Sequence, residues 1–263
     1  MNIFQNLNHL LIKLFSFLFL SLIATQFIYA KSNFLIWPIY PVLESQDKAA
    51  PVWLENVGDE ASMVQIRVFK WSKVNNEDQY QEQQEIIASP PIVKVVAGDK
   101  QMIRLTKAMN VPDSKEYSYR IIIDELPINL NKDDEVSNVS FKMRYSLPLF
   151  SYGRGIGSGN SQTTQKMNSK NPNARPILNW SIIDGKNLIE IENIGLISVR
   201  VSGFQVDGKE YKSMAGNNTF GYVLSGSKLA FNLSDELKSL ILKNKSIYAI
   251  VGQNQEPILI NKK

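Results

Sequence analysis

The side chains that most often carry catalysis and metal binding are almost absent from this chain. Of its 263 residues none is cysteine, and the single histidine is His9. Nucleophiles activated by histidine, zinc sites with His or Cys ligands and disulfides all require these residue types. The run Asp133-Asp134-Glu135 offers carboxylates, but such a charge run is typical of a solvated turn. The composition argues against an enzyme and predicts no catalytic residue, metal site, cofactor or small-molecule substrate. Carboxylate-only catalysis and a calcium site with oxygen ligands are the alternatives left, although the sequence has no Asp-x-Asp calcium loop.

The first thirty residues have the pattern of an export signal. Leu14–Ala24 is an uncharged, largely apolar run, and the segment that follows it ends in Ile28-Tyr29-Ala30. An apolar run this far below the ~20 residues of a spanning helix predicts a cleaved signal peptide over residues 1–30. An uncleaved N-terminal anchor is the alternative. Cleavage would also remove His9.

From Phe34 onward, short alternations of apolar and polar residues separated by turn residues predict β-structure. The stretch 64–71 alternates clearly, and Pro90-Pro91 predicts a kink between two extended pieces. About seven or eight strands are predicted up to Phe150, as in one immunoglobulin-like sandwich. The net charge of +4 is too diffuse to predict nucleic-acid binding.

The composition changes between residues 151 and 175, where Gly, Ser, Asn, Gln and Lys dominate. This stretch predicts a flexible linker or loop without core residues. Its basic residues favour a solvated loop over contact with an acidic partner. The strand rhythm returns at Pro176, and Ser234–Lys243 predicts one short helix. The predicted organisation is therefore an N-terminal domain over 31–150, a linker over 151–175 and a C-terminal β-sandwich domain over 176–263.

The longest alternating strand runs through residues 139–150. Because strand side chains alternate between two faces, the following apolar residues share one face: Val139, Phe141, Met143, Tyr145 and Leu147. Lys142 and Arg144 lie on the other. Alternation alone favours an ordinary core strand. The position at the end of the first domain also suits an edge strand that could pair with another chain.

The chain resembles the PapD-like periplasmic chaperones of the chaperone–usher pathway, and within them the archaic branch. Each matching segment is weak alone, but their order and spacing are specific. These segments are 54–58, 64–71, 89–91, 98–105, 119–127, 144–150, 188–195 and 222–224.

The resemblance implies an all-β protein with two immunoglobulin-like β-sandwich domains in an L-shaped (boomerang) arrangement. It implies a periplasmic location, a pilus or fimbrial subunit as one partner, the outer-membrane usher as another, and no cofactor. Pilus subunits in this family lack their last strand, and the chaperone lends its own, which is donor-strand complementation. The side chains of Val139, Phe141, Met143, Tyr145 and Leu147 would then fill the subunit groove. Whether the free chain shields this strand by self-association is left open.

The resemblance also implies that basic residues in the cleft between the domains anchor the terminal carboxylate of the subunit. Lys142 is the first candidate and Arg144 the second. The other cation of the family lies in the first strand, but here 34–43 contains no basic residue. Arg104 could replace it, although in this family that arginine is more often structural, with Asp124 as its expected partner.

A second function stays open from sequence alone. A secreted or surface β-sandwich adhesion or binding module would share the export signal and the strand pattern. In such a module, the face of 139–147 would already be covered within its own domain.

Overall fold

The computed structural model describes residues 34–126, 142–212, 220–244, 246–252 and 254–263. The predicted signal peptide, Val139 and Phe141 lie outside these ranges. The N-terminal part contains ten strands: β1 Phe34–Trp37, β2 Val42–Leu43, β3 Ala49–Asn56, β4 Ser62–Val74, β5 Glu77–Gln81, β6 Ile86–Ser89, β7 Ile92–Val95, β8 Lys100–Lys107, β9 Glu116–Leu126 and β10 Arg144–Tyr152.

Two helices and eight further strands follow in the described part of the chain. They are α1 Gln162–Asn168, β11 Leu178–Ile182, β12 Leu188–Asn193, β13 Val199–Val206, β14 Lys209–Lys212, β15 Gly221–Val223, β16 Lys228–Asn232, α2 Asp235–Lys243, β17 Ile247–Val251 and β18 Glu256–Lys262. No helix among the described residues has the length and apolar character needed to cross a membrane.

The N-terminal domain is a sandwich of two sheets. One has the strand order β1-β3-β8-β6, and the other has β2-β10-β9-β4-β5 with β7 also paired to β4. Alternation along β3 and β4 directs Val52, Leu54, Val64 and Ile66 into the layer between the sheets. The predicted all-β fold with immunoglobulin-like domains is confirmed.

Prolines mark two of the places where the chain passes from one sheet to the other. Before Pro38, β1 pairs with β3, and after it β2 pairs with β10. Before Pro90-Pro91, β6 pairs with β8, and after it β7 pairs with β4. Proline has no N–H for a strand ladder, so it interrupts pairing where the partner changes. The predicted kink at Pro90-Pro91 is confirmed.

The C-terminal domain is built on strands in the order β14-β13-β17-β18-β11-β12-β16, with β15 on β13. Phe204 and Phe231 meet edge to face in its core, with ring centroids 5.7 Å apart. The predicted helix is confirmed as α2, which buries Leu237 and Ile241 against this core. It begins where the Ser234 hydroxyl accepts the N–H of Leu237 at 3.1 Å, an N-cap that satisfies one of the unpaired donors of a first helical turn.

The segment 151–175 has more structure than its composition predicts. Strand β10 continues to Tyr152, and α1 begins at a capping box formed by Ser161 and Thr164. Ile156 and Ala174 are buried in a cluster that also contains side chains from both domains. The glycines here permit close approach as well as turns, because a Cβ on Gly153 would lie 1.9 Å from the carbonyl oxygen of Pro112.

Replacing Gly153 with alanine should therefore destabilise the protein by roughly 1–3 kcal/mol, since the added methyl group must displace backbone. Denaturant unfolding followed by circular dichroism would measure this loss. Alanine at the exposed neighbour Asn160 is the control and should leave the midpoint nearly unchanged. Equal midpoints for the Gly153 variant and the parent would contradict the close-approach explanation.

Candidate functional site

Strand β10 has an open edge. Its inner side pairs with β9 from Arg144 to Tyr152. On the outer side, β2 pairs only with Phe150 and Ser151. In the described ranges no strand pairs with the outer side of Arg144–Leu149. Backbone N–H and C=O groups on such an edge are free to pair with a strand from another molecule.

The apolar side chains of β10 divide between the core of the domain and solvent. Leu147 and Leu149 are 5% and 0% exposed and belong to the core, and Tyr145 packs against the same cluster. Met143, just before the strand, is 40% exposed. Leu147 is thus committed to its own domain, and we remove it from the predicted set of groove-filling residues.

A cleft of about 380 Å³ runs along the open edge. One wall is β10 itself, and another is the connection between β1 and β2, where Ile39 is 55% exposed. Phe220 and Tyr222 of the C-terminal domain form a further wall. An extended chain paired with β10 would therefore also contact the C-terminal domain.

An aromatic cluster joins the two domains below this cleft. Tyr222 packs against Trp71 and Phe150, with ring centroids 5.4 and 6.0 Å away. Such contacts add to the apolar area that the rings bury. Trp71 and Trp180 are buried, as expected of packing residues, whereas Trp37 and Trp53 stack on each other and remain partly exposed.

Two arginines lie at or beside the cleft: Arg120 is part of its lining, and Arg200 contacts Tyr40 and Phe220, which line it. The guanidinium carbon of Arg120 lies 3.8 Å from the ring centroid of Trp71. Arg200 donates from Nη1 to the Tyr40 hydroxyl at 3.1 Å. The Nε atoms of both arginines are buried without a hydrogen-bond partner in the part of the chain that the structure describes. Asp78 compensates part of the positive charge of Arg120.

The electrostatics of Asp78 show how this compensation works. Burial raises its pKa, but hydrogen bonds from Lys73 and Trp71 and the charge of Arg120 bring the pKa below its ordinary value. Asp78 is therefore charged at neutral pH and interacts with two cations, Lys73 and Arg120. These three side chains together keep a net positive charge. Nothing in the sequence pattern distinguished Arg120 or Arg200 from other strand arginines before the domains were packed together.

The cations predicted from sequence lie in different places. Lys142 is exposed just before β10. The guanidinium of Arg144 is bound to the carboxylate of Asp124. Arg104 lies on β8 in the opposite sheet, across from Pro51 and Ser89.

The expected pairing of Arg104 with Asp124 is wrong. Asp124 instead accepts hydrogen bonds from Arg67, at 2.6 Å, and from Arg144. Burial alone would raise the pKa of Asp124, but these two guanidinium groups outweigh burial and hold the pKa below its ordinary value. Alternation along a strand predicts which side chains share a face, but not which sheet a strand joins.

A second carboxylate spans the domain interface. Glu116, the first residue of β9, accepts the N–H of Ser198 at 3.0 Å and also the Ser198 hydroxyl. The backbone N–H of Ser225 in turn donates to the Ser198 hydroxyl at 3.0 Å. The carboxylate lies deep among protein atoms, and burial raises the pKa of Glu116 to about 7 although several hydroxyl groups lower it.

Comparison with known proteins supports a chaperone identity. The model of one protein family, described as "Pili and flagellar-assembly chaperone, PapD N-terminal domain", matches residues 41–156 of this chain. A solved structure of the CsuC–CsuE chaperone-tip adhesion subunit pre-assembly complex, from archaic chaperone-usher Csu pili of Acinetobacter baumannii, contains a chain 46% identical. The match covers 88% of this chain and 99% of that chain, with a TM-score of 0.73.

Two more distant structures show the same fold. One is the E. coli chaperone DraB, at 14% identity and TM-score 0.58 over 88% of this chain and 96% of that one. The other is the complex of SafA pilin with the SafB chaperone of Salmonella enterica, at 13% identity and TM-score 0.59, covering 86% and 94%. A search of curated protein sequences found no match.

The fold and these similarities define a class of two-domain, all-β assembly chaperones. The chain belongs to the PapD-like family of pilus-assembly chaperones. Its 46% sequence identity to CsuC confirms the resemblance to the archaic branch. Proteins of this family are known as chaperones and not as enzymes. Among the described residues no group of three or more His, Cys, Asp or Glu could hold a metal ion.

The raised pKa of Glu116 predicts how stability depends on pH. The folded protein holds this proton up to about pH 7, compared with an ordinary value of 4.5. The native state therefore binds more protons than the unfolded state between these values, so this group lowers the free energy of unfolding as pH rises through that window. Above about pH 7, Glu116 is charged in both the folded and the unfolded state, and the free energy of unfolding stays at its lowered value.

Replacing Glu116 with glutamine should flatten this part of the pH dependence and raise the free energy of unfolding at neutral pH. Denaturant titrations between about pH 5 and pH 8 would measure both effects. The surface variant Glu256→Gln, at an exposed position, is the control and should keep the parental slope. An unchanged slope in Glu116→Gln would contradict the assignment.

Proposed function

We propose that this protein binds a pilus or fimbrial subunit by donor-strand complementation in the periplasm and delivers it to the outer-membrane usher. The observation that carries the proposal is the open outer edge of Arg144–Leu149, with Met143 exposed at its start. A subunit strand paired with this edge would gain main-chain hydrogen bonds over its length.

The side chains lent to the subunit are Val139, Phe141, Met143 and Tyr145. If the strand continues through residues 139–143, their alternation in sequence would put them on the face that further along β10 carries Leu147 and Leu149. Burying four such side chains supplies about 6–12 kcal/mol before costs, at roughly 1.5–3 kcal/mol each. Association and ordering remove several kcal/mol of that total. The remainder suits a complex that protects a subunit and can later release it to another strand.

For the carboxylate anchor, the cleft favours Arg120 and Arg200 over Arg104. Arg120 lies opposite Pro148 in the β9–β10 register, beside the C-terminal domain. Lys142 precedes Pro148 by six residues, about 20 Å along an extended chain. One terminal carboxylate could contact both positions only if both long side chains extended towards each other along the strand. We therefore assign the anchor to the arginines of the cleft and leave Lys142 as a contact at the far end of the lent strand.

The remaining parts of the proposal rest on family membership and on the sequence. CsuC, to which this chain is 46% identical, is described in complex with the tip adhesion subunit CsuE, which supports a subunit of that kind as partner here. Export by a signal peptide cleaved after residue 30 would place the protein in the periplasm. The usher would be the second partner.

The alternative function, a secreted or surface adhesion module, requires a β10 edge that is covered within the molecule. The open edge of Arg144–Leu149 and the exposure of Met143 favour the chaperone. A gene neighbourhood with an usher and small secreted subunits would support the same choice.

Replacing Met143 with aspartate should abolish the complex, because a charge would have to enter an apolar pocket of the subunit. The measurement is co-purification after co-expression with a subunit encoded beside the chaperone gene, or with CsuE. Met109→Asp is the matched control, since Met109 is 60% exposed and lies outside the cleft. Normal recovery of the subunit with Met143→Asp would overturn the donor-strand assignment. Phe141→Asp should behave as Met143→Asp does.

Replacing Arg120 with glutamine should weaken subunit binding about tenfold or more, because the terminal carboxylate loses a charged partner. Arg104→Gln, on the opposite sheet, should bind as the parent does. Binding would be measured by titration with a purified subunit, and the melting temperature of each variant would be recorded alongside. Equal losses for the two variants would contradict the anchor assignment.

A further inference from the structure

Asp124 receives guanidinium groups from both neighbouring strands. In the strand register it lies opposite Arg144 of β10 and opposite Gln65 of β4. Arg67, further along β4, donates from Nη2 to Oδ2 at 2.6 Å, and Arg144 donates from Nε to Oδ1. One carboxylate thus joins three adjacent strands across the sheet.

The environment of Asp124 makes its charge important. Its side chain is only 13% exposed, whereas those of Arg67 and Arg144 are 42% and 66% exposed. Charge-assisted hydrogen bonds to a largely buried carboxylate are stronger than those of a fully exposed ion pair. Without the negative charge, the two guanidinium groups would face each other and repel. A neutral side chain of the same size would therefore not preserve this arrangement.

The arrangement lies where β10 is least supported. Arg144 is the first residue of the strand, and only β9 pairs with the strand from there to Leu149 in the described structure. Immediately before it, the N–H of Glu125 donates to the carbonyl oxygen of Met143 at 3.1 Å. Because side chains alternate, fixing Arg144 on one face directs Met143 and Tyr145 to the other.

We propose that Asp124 is a positioning residue for the lent strand: by holding Arg144, it fixes the register and the face that Met143 presents to the subunit. Asp124 acts through Arg144 and does not itself contact the subunit. This inference rests on the proposed donor-strand function. It also gives Arg144 a role different from the carboxylate anchor expected from the sequence.

The first test compares Asp124→Asn with the parent. The variant keeps the size of the side chain but removes its charge. We expect the dissociation constant for CsuE to rise about tenfold or more, and the amides of β10 that pair with β9 to exchange hydrogen faster. Asp113→Asn is the matched control, because Asp113 and Arg154 form a pair that is 61% and 81% exposed. It should change neither quantity.

A double-mutant cycle then separates positioning from a general loss of stability. If Asp124 acts through Arg144, the double variant Asp124→Asn with Arg144→Gln should bind CsuE no more weakly than the weaker-binding single variant. Asp124→Glu, which keeps the charge, should restore part of the binding. Additive losses, or parental binding by Asp124→Asn, would overturn the proposal.

Failure of this inference can be distinguished from failure of the proposed function. If the parent protein binds neither CsuE nor a subunit encoded beside it, the proposed function fails. Hydrogen exchange in the free protein still reports whether Asp124 holds β10. If exchange in the variant is unchanged, Asp124 does not position the strand. If exchange rises while binding stays parental, the strand is held by Asp124 but binding does not depend on it, and the proposal is again overturned.

Discussion

Among the described residues, one side of β10 lacks a row of backbone hydrogen bonds, and the rest of the site depends on this feature. The strand pairs with β9 along its whole length, but its other neighbour, β2, reaches only Phe150 and Ser151. An open edge invites uncontrolled pairing between molecules. Here charged residues mark its beginning, and Phe220 and Tyr222 of the C-terminal domain line the space beside it. A pairing strand must therefore run along the cleft, in contact with both domains.

The cleft in turn depends on how the two domains are joined. The rings of Trp71, Phe150 and Tyr222 supply an apolar contact, and Glu116 reaches across to Ser198. Packing of this kind also holds Arg120 against aromatic rings, where its charge is only partly compensated. The domain interface and the proposed carboxylate anchor therefore depend on the same set of side chains. A substitution that loosens the interface should therefore also change the affinity of the cleft for a carboxylate.

Much of the fold follows from local patterns in the sequence. Alternation predicts the strands, Pro90-Pro91 predicts a kink between two extended pieces, and the capped, amphipathic stretch ending at Lys243 predicts α2. The segment 151–175 could not be predicted in this way, since the same glycines that suggest flexibility allow a close backbone approach at Gly153.

The candidate site was predictable only in part, for reasons of sheet assembly. The shared face of Met143, Tyr145 and Leu147 follows from strand periodicity. That Leu147 belongs to the core depends on how far β10 overlaps the opposite sheet, which no local pattern encodes. The predicted pairing of Arg104 with Asp124 was wrong because Arg104 lies in the opposite sheet, and the sheet that a strand joins is determined by tertiary pairing. Arg120 becomes a candidate only when the C-terminal domain packs beside it.

The division of β10 between core and solvent has a consequence for partner selection. From Leu147 onward the strand is packed in its own domain; Tyr145 packs only partly against the same core, and Met143 before it is exposed. The boundary between the buried part and the exposed part is a fixed position along the strand. Under the proposed function, the number of residues that precede Leu147 in the lent segment sets how many successive subunit pockets can be filled. In a chaperone whose boundary came two residues earlier, the lent segment would fill one pocket fewer. The length of this segment could therefore select partners even where side-chain chemistry does not.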